Sequence, residues 1–175
     1  LPSSTLDDAA LAASSFFSEK TGRYSIDGKN LSEEELSDFY VSLAKEYPVV
    51  SLEDPFDEES FAQFASLRKK LSGKVQLVGD DLLVTNVSRI RAAVSQNSVS
   101  ALLLKVNQIG TLSEALDAAS LCRKSGLGVI VSHRSGETED CAIADIAVGI
   151  GCGQIKAGAP ARSESVDRNT STAVK

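Results

Sequence analysis

The stretch ALLLKVNQ (101–108) decides how this chain folds. Four consecutive apolar residues that run straight into a lysine read as a strand buried on both faces, because a strand with one wet face would alternate. The same pattern, a short Val/Ile/Leu run followed at once by charged or polar residues, recurs at VVSLEDP (49–55), VQLVGDDL (75–82) and VIVSHRSGE (129–137). In (β/α) barrels the chemistry sits where such strands end. Four such endings therefore predict a row of functional positions along one rim.

Working outward, the segments between these runs carry helical spacing. Ser32 with Glu35 three positions on is a capping-box signature, followed by Leu36, Phe39, Leu43 and Ala44 up to Tyr47-Pro48. The pattern then predicts a strand at 49–52 and a helix at 57–71, opened by Asp57, turning Phe61, Phe64, Ala65 and Leu67 inward and stopped by Ser72-Gly73. A strand at 75–79, a helix at 86–97 capped by Asn86, a strand at 101–105, a helix at 111–125 from Thr111 to Gly126, and a strand at 128–132 continue the rhythm. A helix near 138–149 and a short strand at 153–156 close it. Parallel neighbours joined in this way need right-handed crossovers, which leaves a doubly wound sheet or a barrel.

Strand number narrows the choice. Five strands follow residue 31, six if a ragged run before it is counted, whereas a closed barrel needs eight and typically ~250 residues. With 175 residues, the expectation is a piece of a larger protein, or an open α/β arrangement completed by other polypeptide. The division expected is an atypical N-terminal segment (1–30, rich in Ser, Ala and Gly), a partial barrel (31–162) and a flexible tail at 163–175, where SESVDRNTSTAVK has no apolar periodicity.

Composition excludes several classes of function. At 42% hydrophobic and 24% charged, the chain has the apolar mass for one ordinary domain core. No run approaches the ~20 apolar residues that cross a bilayer, and LPSSTLDDAALAASSFF lacks the early cations of a secretory signal. The net charge of −6 disfavours nucleic acid as a partner, since phosphates need clustered cations. Cys122, Cys141 and Cys152 have neither metal-type spacing nor an even count and read as buried or half-buried free thiols of a reducing compartment.

The strand ends suggest their own chemistry. Glu53 and the Asp80-Asp81 pair put carboxylates side by side on one rim, a cluster that a cation must neutralise. All-oxygen ligands select a hard ion such as Mg2+, which keeps positions for water and substrate oxygens. Taken singly, a strand-end acid is more often a loop cap or helix cap than a ligand. Lys105, at the mouth of a buried strand, is partly desolvated, which favours the neutral amine and suits it to act as a base. A lysine that snorkels to the rim and pairs with a carboxylate is the alternative. His133 is the only histidine, and Arg134, Ser135 and Gly136 after it form a donor-rich turn suited to phosphate or carboxylate. Lys156 adds another cation. Donors facing a carboxylate-bound metal describe a pocket for a small, strongly anionic molecule.

The strings SLEDPF, VGDDLLVTN, LLLKVNQIGTLSEA, VSHRSGETED with IADIAVG behind it, and GQIKAGAPARSE, in that order across residues 48–164, resemble the barrel domain of the enolase family. The fold this implies is an incomplete (β/α) TIM-type barrel of the enolase superfamily, lacking the N-terminal α+β domain and the first barrel strands. The resemblance implies Mg2+-dependent dehydration of 2-phosphoglycerate to phosphoenolpyruvate in glycolysis, in the cytoplasm. By position it makes Glu53 and Asp80 two metal ligands, Lys105 the catalytic base and Lys156 its electrostatic helper. His133 becomes a substrate contact, and Arg134 with Ser135 the phosphate grip. Implied partners are the substrate and product, with other enolase polypeptide or a homodimer partner, and neither nucleic acid nor membrane.

Departures from the family pattern are equally specific. The third metal ligand of the family is an Asp opening a D-x-A-A-S-E-F segment; aligning AASSFF (12–17) on it without gaps puts Ala10 in place of that Asp and Ser15 in place of the Glu. A three-residue insertion would instead bring Asp7 or Asp8 to the ligand position. The family's lid, the acid that protonates the leaving hydroxyl and the long C-terminal helix have no counterpart in the sequence. The chain is therefore expected to be inactive alone. The alternative is a non-catalytic, diverged or truncated enolase-like subunit of a larger assembly.

Overall fold

The computed structural model describes residues 7–134 and 142–157. Six strands, β1 (Asp7–Ala10), β5 (Val49–Glu53), β6 (Gln76–Gly79), β7 (Ala101–Leu104), β8 (Gly128–Ser132) and β9 (Gln154–Lys156), form one sheet in that order, and every neighbouring pair is parallel. Between β1 and β5 lie a 3-10 turn (Ala13–Phe16) and a second, antiparallel sheet of β2 (Phe17–Ser18), β3 (Arg23–Ile26) and β4 (Lys29–Leu31). The helices are α1 (Glu33–Glu46), α2 (Phe61–Lys70), α3 (Val87–Gln96), α4 (Val106–Ile109), α5 (Leu112–Lys124) and α6 (Ala142–Gly149).

A doubly wound sheet reverses its strand order at a switch point; this sheet never does. It is wound in one direction only, as a barrel is, and two side-chain contacts show that it curls. Lys156 on β9 donates to both oxygens of Glu53 on β5 at 2.8 Å. Four strand spacings separate those strands, roughly 19 Å in a flat sheet and more than the two side chains can span. Nearer the other end, Gln76 on β6 and Gln154 on β9 exchange side-chain hydrogen bonds at 2.9 and 3.2 Å. The α/β fold is thus a half-barrel, as the strand count predicts.

Strand periodicity divides the core into two layers. Leu52, Leu77, Leu102, Leu104 and Val131 face the helices and pack with Phe64, Leu67, Ile90, Ala115, Ala118 and Cys122, whereas Val78, Ala101, Leu103 and Ile130 form a separate cluster on the concave side. Burial on both faces is why these strands lack alternation.

Several helix ends match the sequence expectation atom by atom. Ser32 and Glu35 form the capping box of α1, Asn86 accepts from Ser88 and Arg89 N–H, and Thr111 accepts from Glu114 N–H. Each such cap is worth about 1 kcal/mol. The helix expected from residue 57 starts at Phe61 instead, because Asp57 closes a turn by accepting from Glu59 N–H at 3.1 Å. Phe64 and Leu67 are buried as expected, with Phe61 packed against them, half-exposed.

The small antiparallel sheet is docked by aromatics. Tyr24 on β3 stacks against Phe17 at 4.9 Å and meets Phe56 at 6.3 Å, and Phe56 meets Phe64 at 5.8 Å. Such pairs contribute about 0.5–1.5 kcal/mol each beyond the area they bury. The Tyr24 hydroxyl accepts from Asp57 N–H at 2.9 Å, so the hairpin also fixes the loop that follows β5. Its turn, Asp27-Gly28, has both residues left-handed (φ 48° and 74°), the geometry that Asp-Gly favours in a two-residue hairpin.

Candidate metal centre and active-site rim

Glu53, Asp80, Asp81, Lys105 and Lys156 sit where parallel strands end at the same edge of the sheet, whereas Asp7 and Asp8 open β1. Register explains the grouping: Glu53 pairs with Val78, so Asp80 lies two residues beyond on the adjacent strand, and Ser132 pairs with Lys156. Lys105 directly follows β7, next in line after β6. Its Nζ donates to Asp80 Oδ2 at 2.5 Å, and both side chains are largely buried. Lys156 closes the mouth from the far strand by its bond to Glu53. His133, half-buried, directly follows β8, and Arg134 beside it is exposed; Ser135 lies outside the described residues.

Asp80 is held by its backbone on both sides. Its N–H donates to Asp54 Oδ1 at 2.9 Å, and its carbonyl accepts from Leu83 and Val84 N–H at 3.1 and 2.7 Å. Gly79 makes this tight turn possible, since a Cβ there would come within 2.7 Å of Leu83 Cγ. Farther along the same turn, Val84 and Thr85 are both left-handed (φ 42° and 56°), unusual for β-branched residues and costly by about 1–2 kcal/mol each. That conformation brings the buried Thr85 hydroxyl to accept from Lys105 N–H at 3.0 Å.

Asp54 is the residue that sequence reading passed over. It is 3% exposed and left-handed (φ 45°), and its two oxygens accept from Asp80 N–H at 2.9 Å and Asp81 N–H at 2.6 Å. Burial pushes its carboxyl up to about 7; the two N–H donors pull against that, and the charges of Asp80 and Asp81 add to it. The carboxylates of Asp54, Asp80 and Asp81 lie within 4.8 Å of one another, a group able to hold a metal ion. The signal for Asp54 stood in the sequence, as the second acid of SLEDP at a strand end.

A test of fit for an ion comes from Asp80 itself: its Oδ1 is buried and has no hydrogen-bond partner among the described residues. A buried anionic oxygen without a donor is costly, and a cation would satisfy it. Glu53 lies outside the three-aspartate group, with both oxygens accepting from Lys156. On the other flank, β1 brings Ala10 into register with Glu53, while Asp8 pairs lower down with Ser51. Ala10 is thus the β1 residue beside Glu53, and Asp8 lies two positions before it.

Cys122 is buried and Cys152 half-buried, both free as expected, and Cys141 lies outside the described residues. Burial pushes the Cys122 thiol up to about 12, which makes it a core side chain rather than a nucleophile.

Comparison with known proteins gives one answer. The family model for the enolase C-terminal TIM barrel domain matches residues 6–171. The enolase of Methanocaldococcus jannaschii is 59% identical over 153 residues, covering 87% of this chain and 35% of that protein. Those of Thermococcus gammatolerans and Pyrococcus furiosus are each 56% identical, covering 90% and 91% of this chain and 36% of each relative. The chain therefore spans about a third of the length of these relatives.

Proposed function

Because the chain belongs to the enolase family, by its C-terminal TIM barrel domain, we propose that it carries the base side of a Mg2+-dependent lyase that dehydrates 2-phosphoglycerate to phosphoenolpyruvate. The single observation behind this reading is the convergence of two acids and two amines, Glu53, Asp80, Lys105 and Lys156, at one mouth of the half-barrel. In this reading residues 31–162 carry the four strand-end side chains, and β1 extends their sheet beside β5. Such an enzyme serves glycolysis in the cytoplasm; among the described residues no helix is long and apolar enough to cross a membrane.

Asp80 and Glu53 would hold the ion, Asp80 through Oδ1, which has no partner among the described residues, and Glu53 by giving up one of its two contacts with Lys156. When bound, Mg2+ supplies positive charge beside the substrate carboxylate, where negative charge develops. Lys105 removes the proton alpha to that carboxylate; Thr85 holds its backbone in place and Asp80 directs its Nζ to the mouth. Lys156 approaches from the opposite strand and balances the charge that gathers on the carboxylate oxygens. His133 contacts the substrate, and Arg134 with Ser135 grips the phosphate through charge-assisted hydrogen bonds. Protonation of the leaving hydroxyl is assigned to none of these residues and is left to the rest of the barrel.

The test is phosphoenolpyruvate formation from 2-phosphoglycerate with Mg2+, measured on this chain alone and with the remaining enolase polypeptide added. Activity only in the second sample is the expected result. Activity in neither sample leaves the second reading, a non-catalytic enolase-like subunit, which the alanine in register with Glu53 favours.

A further inference from the structure

We propose that Asp54 is a positioning residue, whose carboxylate grips the backbone of Asp80 and Asp81 and thereby aims the Asp80 side chain at the ion. This rests on the reading of Asp80 as a metal ligand. The argument begins with what Asp54 joins. Its N–H donates to Val78 O and its carbonyl accepts from Ala13 N–H, both at 3.1 Å, while the neighbouring Glu53 carbonyl accepts from Leu11 N–H at 3.1 Å. Its side chain then bonds the two amides that follow β6. One buried residue therefore ties together the exits of β1, β5 and β6.

Within that knot Asp80 has little freedom. With N–H held by Asp54 and carbonyl held by the Leu83 and Val84 amides, its backbone cannot turn, and only the side chain remains to be directed. Lys105 fixes Oδ2, which leaves Oδ1 without a donor among the described residues. Both oxygens of Asp54 are committed to N–H groups, a geometry that suits support better than ligation. Removing that carboxylate leaves two amides without their acceptor in a poorly hydrated turn and frees the backbone that carries the ligand. Groups of this supporting kind typically change metal affinity by about 10–100-fold when removed.

The experiment titrates the chain with Mn2+, read by electron paramagnetic resonance, for the parent and for Asp80→Asn, Asp54→Ala and Asp54→Asn, with folding checked by circular dichroism. Asparagine keeps one acceptor and sets its amide against the other N–H, so it tests for partial rescue. The expected result is binding by the parent, loss in Asp80→Asn, weakening of about 10–100-fold in Asp54→Ala and a smaller loss in Asp54→Asn. A folded Asp54→Ala that binds Mn2+ like the parent, while Asp80→Asn does not, overturns the positioning role and leaves the metal site standing. Absence of binding by the parent removes the metal reading and this role with it. If the alanine variant fails to fold, the asparagine variant decides by the same comparison; if neither folds, Asp54 serves folding and the proposal is overturned.

Discussion

Lys105 and Lys156 each end in a carboxylate, yet the two pairs arise differently. Lys105–Asp80 joins adjacent strands, and both side chains are nearly out of solvent, at 15% and 12% exposure. It would form in a flat sheet of the same register. Lys156–Glu53 spans four strand spacings, with the lysine 42% exposed, and exists only because the sheet curls. One pair follows from register and the other from curvature, so they should fail differently.

The largest effect is expected at the inner pair. Lys105→Ala leaves Asp80 buried without its counter-charge, a change that costs about 3–5 kcal/mol, measurable by urea unfolding with chelator present. The double variant Lys105→Ala/Asp80→Asn should recover most of that loss, and additivity of the two single effects would break the argument. In an assembly active with 2-phosphoglycerate, Lys105→Ala should also abolish exchange of the substrate alpha proton with solvent, followed by NMR in deuterated water.

Next comes a gain. Ala10→Asp puts a carboxylate in register with Glu53 and should tighten Mn2+ binding roughly tenfold, about 1.4 kcal/mol, because ligand charge count governs affinity for hard ions. Calorimetric titration measures it, and an unchanged affinity alongside a loss in Asp8→Asn would move the third ligand to Asp8. Lys156→Ala should cost less than Lys105→Ala, since Lys156 is 42% exposed, yet it strips the 15%-exposed Glu53 of its lysine, so a loss of about 1–3 kcal/mol is expected by urea unfolding. Gln76→Ala, which severs the neutral contact across the same curve, should cost about 0.5 kcal/mol. If Lys156→Ala proved as damaging as Lys105→Ala, the contrast between register and curvature would collapse.

The same contrast explains what the sequence disclosed. Strands such as Ala101–Leu104 and caps such as Ser32 and Asn86 depend on residues within a few positions of one another and were legible beforehand. So was the placement of Glu53, Asp80, Lys105 and Lys156 at strand ends. What joined them was not, because pairing Glu53 with Lys156 needs a curl that no local pattern encodes. The hairpin at 23–31 went unread although Asp27-Gly28 announces it, since its strands are only four and three residues long and carry just Tyr24, Ile26 and Leu31 as apolar residues. Asp54 stayed hidden for another reason: its partners are backbone amides, which every residue has, so only coordinates reveal that two of them converge on it.

Gly79 has a consequence for how such a rim can change. Leu83 and Val99, whose side chains lie nearest to where a Cβ on it would stand, belong to the apolar layer packed against the helices rather than to the charged rim. Bulk exchanged at 83 or 99 presses on the end of β6 from behind and shifts the reach of Asp80 without altering a single charge. On the proposed reading of Asp80 as a ligand, drift among leucines and valines behind the sheet would retune the ion's surroundings with no change among the ligands themselves.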